Sequence, residues 1–463
     1  MLRKALVILS GNAAASLLLL ARNLIVARLI PVEDFGVAAT FALAMALVEM
    51  ASTFGLQQQI VQSKDGDDPR FQAGLQGFQM LRGCLSGLAL FALAGPLARF
   101  LEIPQVIWAY QLLALVPVLS AAQHFDIHRQ TRQMRFGPMI ATGALPALAS
   151  VLVIWPLSLW FGDWQIMLYS ILVQAVLGTL VSHLLAERPW RLVLDRAVIA
   201  GSLRFGWPLL ANAVLMFLIF QGDRMVVGRE LGMAALAVFS MGVTLTLTPT
   251  LVLAKSVQNL MLPKLSEAKA DPARFQRLAG LTVETVLALA LAFFLAVLLV
   301  GPALTGLLLG PRYGALWPLL FVFALGQALR VLKAAPAIIA LAQGKTGNAG
   351  LANLLRVAAL PLGWWVLAQG GTVETLLWIL VGAEVVSYGA ALLLLPRALW
   401  RPSLPAHLVV GASLTAASFW AVQADRGSAL APWWVWLAAL AALAVCLAVM
   451  GQLRGVIRRR MGR

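Results

Sequence analysis

The sequence predicts an all-α protein that crosses a membrane about fourteen times, and three observations carry the prediction. The chain is 61% hydrophobic and only 12% charged, whereas a soluble domain is typically about 25% charged. Its apolar residues gather into runs of about twenty, the length a helix needs to cross hydrocarbon. Its 35 Lys and Arg outnumber 19 Asp and Glu, and most of them fall in alternate breaks between runs. That sorting is how a membrane protein sets its orientation. Nucleic acid is therefore a poor explanation of the +16 formal charge.

The runs lie near residues 5–30, 35–60, 76–98, 105–123, 137–161, 165–185, 206–228, 233–262, 280–308, 315–342, 348–368, 374–396, 407–423 and 433–453. With the N-terminus in the cytoplasm, the inside segments hold about 23 Lys and Arg, the outside segments about 4 and the spans about 8. Both termini are then cytoplasmic. The basic end, Arg454 to Arg463, is suited to anionic lipid. The first run starts like a signal peptide, but Arg22 interrupts it and no convincing cleavage site follows, so it reads as a retained span. Cys84 and Cys446 lie inside separate runs and imply neither a disulfide framework nor a metal cluster.

In the first run the stretch Arg22-Asn23-Leu24-Ile25-Val26-Ala27-Arg28 places charge at membrane depth. Such a charge costs roughly 3 kcal/mol on insertion scales and usually faces a protein interior or water-filled cavity. At 1.5 Å per residue Arg22 lies about 12 Å below the far interface. Arg28 is close enough to that interface to snorkel.

The outside turn Pro31-Val32-Glu33-Asp34-Phe35-Gly36 makes the first two spans a hairpin. The inside segment from Gln62 to Arg70, with Lys64, Asp65, Asp67 and Asp68, reads as a solvated linker. The next inside segment, Gln123 to Phe136, is a basic amphipathic connector with Arg129, Arg132 and Arg135 every three residues. It suits either anionic headgroups or the phosphates of a lipid-linked substrate. His124 and His128 have the i, i+4 spacing of a metal pair, but no third ligand stands at a motif-like distance. Glu187 to Phe205 is the longest connector, carrying Arg188, Arg191, Arg196 and Arg204, and reads as a link between halves. A shift of 201 residues lays Arg22 to Val61 over Asp223 to Leu262, matching Val26 with Val227, Arg28 with Arg229, Val37 with Val238 and Gln57 with Gln258. Both windows are an outward span ending in charge, a tight loop and a return span, as in parallel repeats.

These two hairpins, the Leu262-Pro263-Lys264-Leu265-Ser266 exit, Leu309-Gly310-Pro311-Arg312-Tyr313 and the connector ending Arg132-Gln133-Met134-Arg135-Phe136 occur in an order that resembles a known family. It is the polysaccharide-biosynthesis flippases of the multidrug/oligosaccharidyl-lipid/polysaccharide exporter superfamily, and the likeness runs from residue 5 to about 400. The resemblance implies two six-helix lobes facing a central cavity: residues 1–186, then a cytoplasmic connector at 187–205, then 206–396. Residues 397–463 add two helices and the basic tail. It further implies a bacterial inner-membrane protein that carries an undecaprenyl-diphosphate-linked oligosaccharide. Its surroundings would be membrane lipids, with a glycan polymerase and glycosyltransferases as partners. The family's cavity arginines are on spans one and seven, which directs attention to Arg22, Arg28, Arg224 and Arg229.

Independently of the resemblance, the spans hold Arg22, Arg28, Arg82, Arg224, Lys255, Arg330, Lys333 and Arg356 against Glu49, Asp223, Glu284 and Glu384. A diphosphate needs several donors, and Arg grips phosphate oxygens with paired hydrogen bonds. The balance favours an anionic substrate. Arg22, Arg28, Arg224, Arg330, Lys333 and Arg356 are therefore the candidate diphosphate ligands. Gln327, Arg330 and Lys333 stripe span ten, and Asn353 and Arg356 stripe span eleven. Glu384 in span twelve either neutralises Arg330 or Arg356 or, with Glu49 and Asp223, takes part in H⁺ or Na⁺ coupling. No cofactor is otherwise implied. Pro117, Pro146, Pro249, Pro336 and Pro361 are expected to bend their spans. A membrane enzyme of glycan assembly would expose a sizeable outer loop with catalytic side chains, and the outer breaks here are too short. No nucleotide-phosphate loop is present either. A multidrug exporter of the same fold is the remaining alternative.

Overall fold

A computed structural model describes residues 2–51, 55–345, 347–424 and 430–455, and the regular elements among them are all helical. The side chains of a few residues in these ranges, Glu49 among them, lie outside the described residues. In order the first elements are α1 (Leu2–Leu29), α2 (Val32–Ala51), α3 (Leu56–Gln62), α4 (Pro69–Phe100), α5 (Ile107–Leu113), α6 (Leu115–Ala122), α7 (Asp126–Arg132), α8 (Gly137–Leu152), α9 (Ile154–Trp160) and α10 (Gln165–Leu184). They are followed by α11 (Arg196–Glu267), α12 (Pro272–Leu309), α13 (Leu320–Ala342), α14 (Gly347–Val357), α15 (Ala359–Ala368), α16 (Val373–Leu393), α17 (Leu404–Gln423) and α18 (Trp433–Val449). Ten helical stretches among the described residues are long and apolar enough to cross a membrane. The chain is a multi-pass membrane protein.

Local chemistry sets many of the boundaries. The Asp68 carboxylate accepts the Arg70 N–H at 3.0 Å, and the Asp271 carboxylate accepts those of Ala273 and Arg274 at 3.1 and 3.0 Å; a proline follows each aspartate at the first helical position. Both ends are satisfied by the side chain and need no donor from the proline. Breaks at Ala114, Val153 and Ala358 divide α5 from α6, α8 from α9 and α14 from α15. Each lies three residues before a proline, at Pro117, Pro156 and Pro361, because the ring removes an N–H and crowds the preceding turn. Pro146 and Pro336 instead sit inside continuous helices.

The segment after α10, read as a connector from 187 to 205, is partly helical. Helix α11 begins at Arg196, ten residues ahead of the apolar run, because Asp195 caps it through the Ala197 N–H at 2.8 Å. Further on, α11 is broken at Gly232, whose φ of +79° is open to glycine and closed to most other residues.

Two compact units are present, Met1–Ala237 and Val238–Arg463. In the first, α8 packs on α1 and α10, α4 packs on α5 and α6, and α3 packs on α7. One end of it is closed by Leu56, Ile60, Leu75, Phe78 and Phe125, with Val198 and Ile199 of α11 against them. This cluster fixes where the basic connector sits. In the second unit α13 lies against α12 and α16, α14 against α16, and α17 and α18 against α12. The buried Glu284 of α12 accepts the backbone N–H of Leu453 at 2.8 Å. A carboxylate at the start of a helical turn opposes the positive end of its dipole, so Glu284 anchors the chain as it leaves α18.

Candidate functional site

The second unit gathers four of the charged residues that the sequence singles out. From α13, Arg330 Nε donates to Glu384 Oε1 of α16 at 2.7 Å; from α14, Arg356 Nε donates to the same oxygen at 3.1 Å. Lys333 Nζ lies 2.5 Å from Glu384 Oε2, an ion contact whose angles fall outside a hydrogen bond. Lys333 also donates to Ser387 Oγ at 3.2 Å and to Asn353 Oδ1 at 3.5 Å. Glu384 and Arg356 are 2% and 1% exposed, while the Arg330 and Lys333 side chains keep 19% and 13%. The stripes on α13 and α14 thus converge on one acid. Three bases to one acid in a membrane interior is an arrangement able to receive an anion at its more exposed rim.

In the first unit Arg22 is half-buried. Its Nη1 donates to Gln174 Oε1 of α10 at 2.7 Å, and its buried Nε has no partner among the described residues. A neutral amide therefore holds this cation, where an acid would have cancelled it. Arg28 is exposed at the end of α1, Asp223 is buried, and Arg224 Nη1 donates to Gln221 Oε1 one turn earlier at 3.1 Å. The Glu49 side chain lies outside the described residues.

The end of α11's first segment, just before Gly232, is seated tightly in this unit. Arg229 Nη1 lies 3.0 Å from Glu102 Oε1 and donates to the Phe100 carbonyl at 3.0 Å, with its guanidinium 5.7 Å from the Phe100 ring centroid. Glu102 has φ +59°, uncommon for a residue with a side chain. Gly36 at the start of α2 approaches so closely that a Cβ would stand 1.9 Å from the Met233 carbonyl oxygen. Any larger residue there would force the two segments apart.

The basic connector is bound up with the segments around it. Arg129 is 5% exposed and pairs with Asp126 at 2.5 Å and Glu187 at 3.0 Å. Arg135 meets Glu187 at 2.5 Å. Arg132 meets Asp67 at 3.2 Å and donates to the carbonyls of Val61, at 2.9 Å, and Ser63. Asp67, in a segment expected to be a solvated linker, thus helps clasp the connector to the 62–70 segment, and Glu187 clasps it to the 187–205 linker. Arg129 is thus buried between two acids, whereas the Arg132 and Arg135 side chains remain 25% and 55% exposed. His124 and His128 join no group of three metal-ligating side chains among the described residues.

Burial alone would raise the Asp126 carboxyl, but hydrogen bonds from Arg129, the Glu187 N–H and Gln130 outweigh it and hold the group down to about 2. A carboxyl depressed on folding contributes stability above its unfolded value of about 4 and loses it as pH falls through the folded one. Thermal melts of the purified protein should hence show the clasp intact above about pH 4 and weakened toward about pH 2. Asp126→Ala should destabilise the protein by about 3 kcal/mol at neutral pH, since it strips a buried Arg of a partner. A melt unchanged from wild type would mean that the clasp contributes nothing.

Residues 25–318 match the family described as polysaccharide biosynthesis protein. Amylovoran biosynthesis protein AmsL of Erwinia amylovora is 24% identical over 282 residues, covering 59% of this chain and 72% of that protein. Succinoglycan biosynthesis transport protein ExoT of Rhizobium meliloti (strain 1021) is 22% identical over 370 residues, covering 79% and 74%. Among solved structures, the lipid II flippase MurJ in its inward closed conformation is similar with a TM-score of 0.71 and 12% identity, covering 99% of this chain and 100% of that one. An inward-facing multidrug resistance MATE family transporter of the MOP superfamily follows at 0.59 and 14%, covering 88% and 96%. At such identities these structures speak to the fold alone. In fold the chain resembles these two transporters, and with the family match spanning more than half of its length the chain belongs to the polysaccharide biosynthesis protein family.

Proposed function

We propose that this protein is a flippase, and not an enzyme, that moves an undecaprenyl-diphosphate-linked oligosaccharide across the bacterial inner membrane by alternating access. The cargo is a repeat unit of O-antigen, capsule or exopolysaccharide. The observation that carries the reading is the charge inside the spans, where eight bases oppose four acids. An exporter of cations needs the reverse, whereas a diphosphate needs several donors. The relatives named for amylovoran biosynthesis and succinoglycan transport support the same substrate class.

In this reading the chain has fourteen spans with both termini cytoplasmic. Lobes 1–186 and 206–396 are parallel repeats joined by 187–205, and 397–463 is an appendage. Arg22, Arg28, Arg224, Arg330, Lys333 and Arg356 hold the diphosphate. Glu49, Asp223 and Glu384 balance these bases or bind a coupling H⁺ or Na⁺. Arg132 and Arg135 meet lipid or arriving substrate at the cytoplasmic face, and a glycan polymerase and glycosyltransferases act on either side of the transport step.

The test is a deletion strain. It should lose surface glycan and accumulate lipid-linked repeat units on the cytoplasmic leaflet, with drug sensitivity unchanged. Heightened drug sensitivity with normal glycan would make the protein a multidrug exporter. Normal leaflet distribution of the lipid-linked precursor would defeat the flippase reading.

A further inference from the structure

A second basic site lies outside the spans, at the cytoplasmic end of the first unit. A pocket of about 240 Å³ is lined by Pro69, Gln72, Ala73 and Gln76 of α4, His124 of the connector, and Arg188, Pro189 and Arg191 of the linker. Its lining contains two guanidinium groups and no acid. Of the nearby acids, Asp126 pairs with Arg129, Asp67 with Arg132 and Glu187 with Arg129 and Arg135, while Asp68 and Asp195 cap the starts of α4 and α11. Arg188 is held by neutral acceptors only, donating to Gln72 Oε1 at 3.0 Å and to the Asp67 carbonyl at 2.9 Å. Arg191 is exposed, with no hydrogen bond or ion pair among the described residues. Two guanidinium groups thus share one concave site whose lining, among the described residues, holds no carboxylate.

His124 adds a donor. Its Nδ1 accepts the Asp126 N–H at 3.2 Å, which assigns the ring proton to Nε2. That nitrogen is buried and has no hydrogen-bond partner among the described residues. Burial, with His183 beside it, lowers the imidazole's affinity for a second proton, so it stays neutral at pH 7.

Location narrows the ligand. Immediately beside the arginines the linker exposes Trp190, Leu192, Val193 and Leu194, at 39%, 46%, 46% and 65%. Exposed Trp and aliphatic residues next to Arg are the composition of a segment resting in the membrane interface. Arg forks match phosphate oxygens in pairs.

We propose that the pocket formed by Arg188, Arg191 and His124 binds a phosphate group at the cytoplasmic membrane surface. The phosphate comes either from an anionic lipid headgroup or from a soluble phosphate compound. The site is independent of the flippase reading, because it involves none of the intramembrane charges.

The experiment uses the full chain in phosphatidylcholine nanodiscs, with inorganic pyrophosphate binding followed by equilibrium dialysis. A second arm adds phosphatidic acid to the discs. Saturable pyrophosphate binding is expected, weakened about tenfold by Arg191→Gln, on the scale of one lost charge-assisted contact. Arg191→Gln removes no bond within the protein, so its melting temperature should match wild type; Arg188→Gln/Arg191→Gln should abolish binding. Arg196→Gln, a nearby exposed arginine outside the pocket, should leave binding unchanged. Competition by phosphatidic acid assigns the site to a headgroup; undiminished binding assigns it to a soluble phosphate. Equal weakening by Arg191→Gln and Arg196→Gln, or no saturable binding in phosphatidylcholine discs, would overturn the proposal.

Discussion

Replacing Glu384 with Gln should remove most of the protein from the membrane. The carboxylate is 2% exposed and is the shared partner of Arg330, Arg356 and Lys333. Without it three bases face one another. Breaking a buried charge network by deleting one member typically costs about 3–5 kcal/mol, a large part of the roughly 5–15 kcal/mol that holds a native protein together. Steady-state protein level and the melting temperature of solubilised protein would show it. Adding Arg356→Leu to Glu384→Gln should restore part of the loss, because the surplus charge falls by one. A Glu384→Gln protein that is normally abundant, but whose transport no longer responds to pH, would instead make Glu384 the proton-coupling group.

Arg22→Ala should have the opposite profile, in which export stops and the protein remains. Arg22 is tied to the neutral Gln174 and has no acid opposite it among the described residues. Its loss strands no carboxylate and relieves an insertion cost of roughly 3 kcal/mol. Lipid-linked glycan should accumulate on the cytoplasmic leaflet, with flipping reduced by about an order of magnitude or more, as expected for one lost charge-assisted phosphate contact. Arg22→Lys should recover part of the rate, since it keeps the charge and loses the fork. Gln174→Ala should have a smaller effect than Arg22→Ala. Wild-type export from Arg22→Ala would return Arg22 to snorkelling, and loss of the protein itself would make Arg22 a structural residue.

The helical class, the membrane and two helix breaks were legible because each is governed by residues adjacent in sequence. The apolar runs report the solvent around each helix, and the breaks at Ala114 and Ala358 follow from Pro117 and Pro361 a turn later. The starts capped by Asp68 and Asp271, which lie ahead of the apolar runs, were passed over. The stripes Arg330-Lys333 and Asn353-Arg356 were also visible, since spacing alone puts such residues on one helical face.

What those stripes and strips meet was decided only in three dimensions. The connector's arginines, spaced as if for lipid, find Asp67 and Glu187 more than fifty residues away. Glu284 finds the Leu453 N–H 169 residues on. Arg188 and Arg191 line an acid-free pocket because the acids nearby were taken by other arginines. Periodicity states which face of a helix a charge occupies, but its counter-charge is chosen by packing between distant segments. The sequence by itself therefore determined the class, the membrane and the basic character of the spans, and tertiary contacts alone decided which of those charges are neutralised.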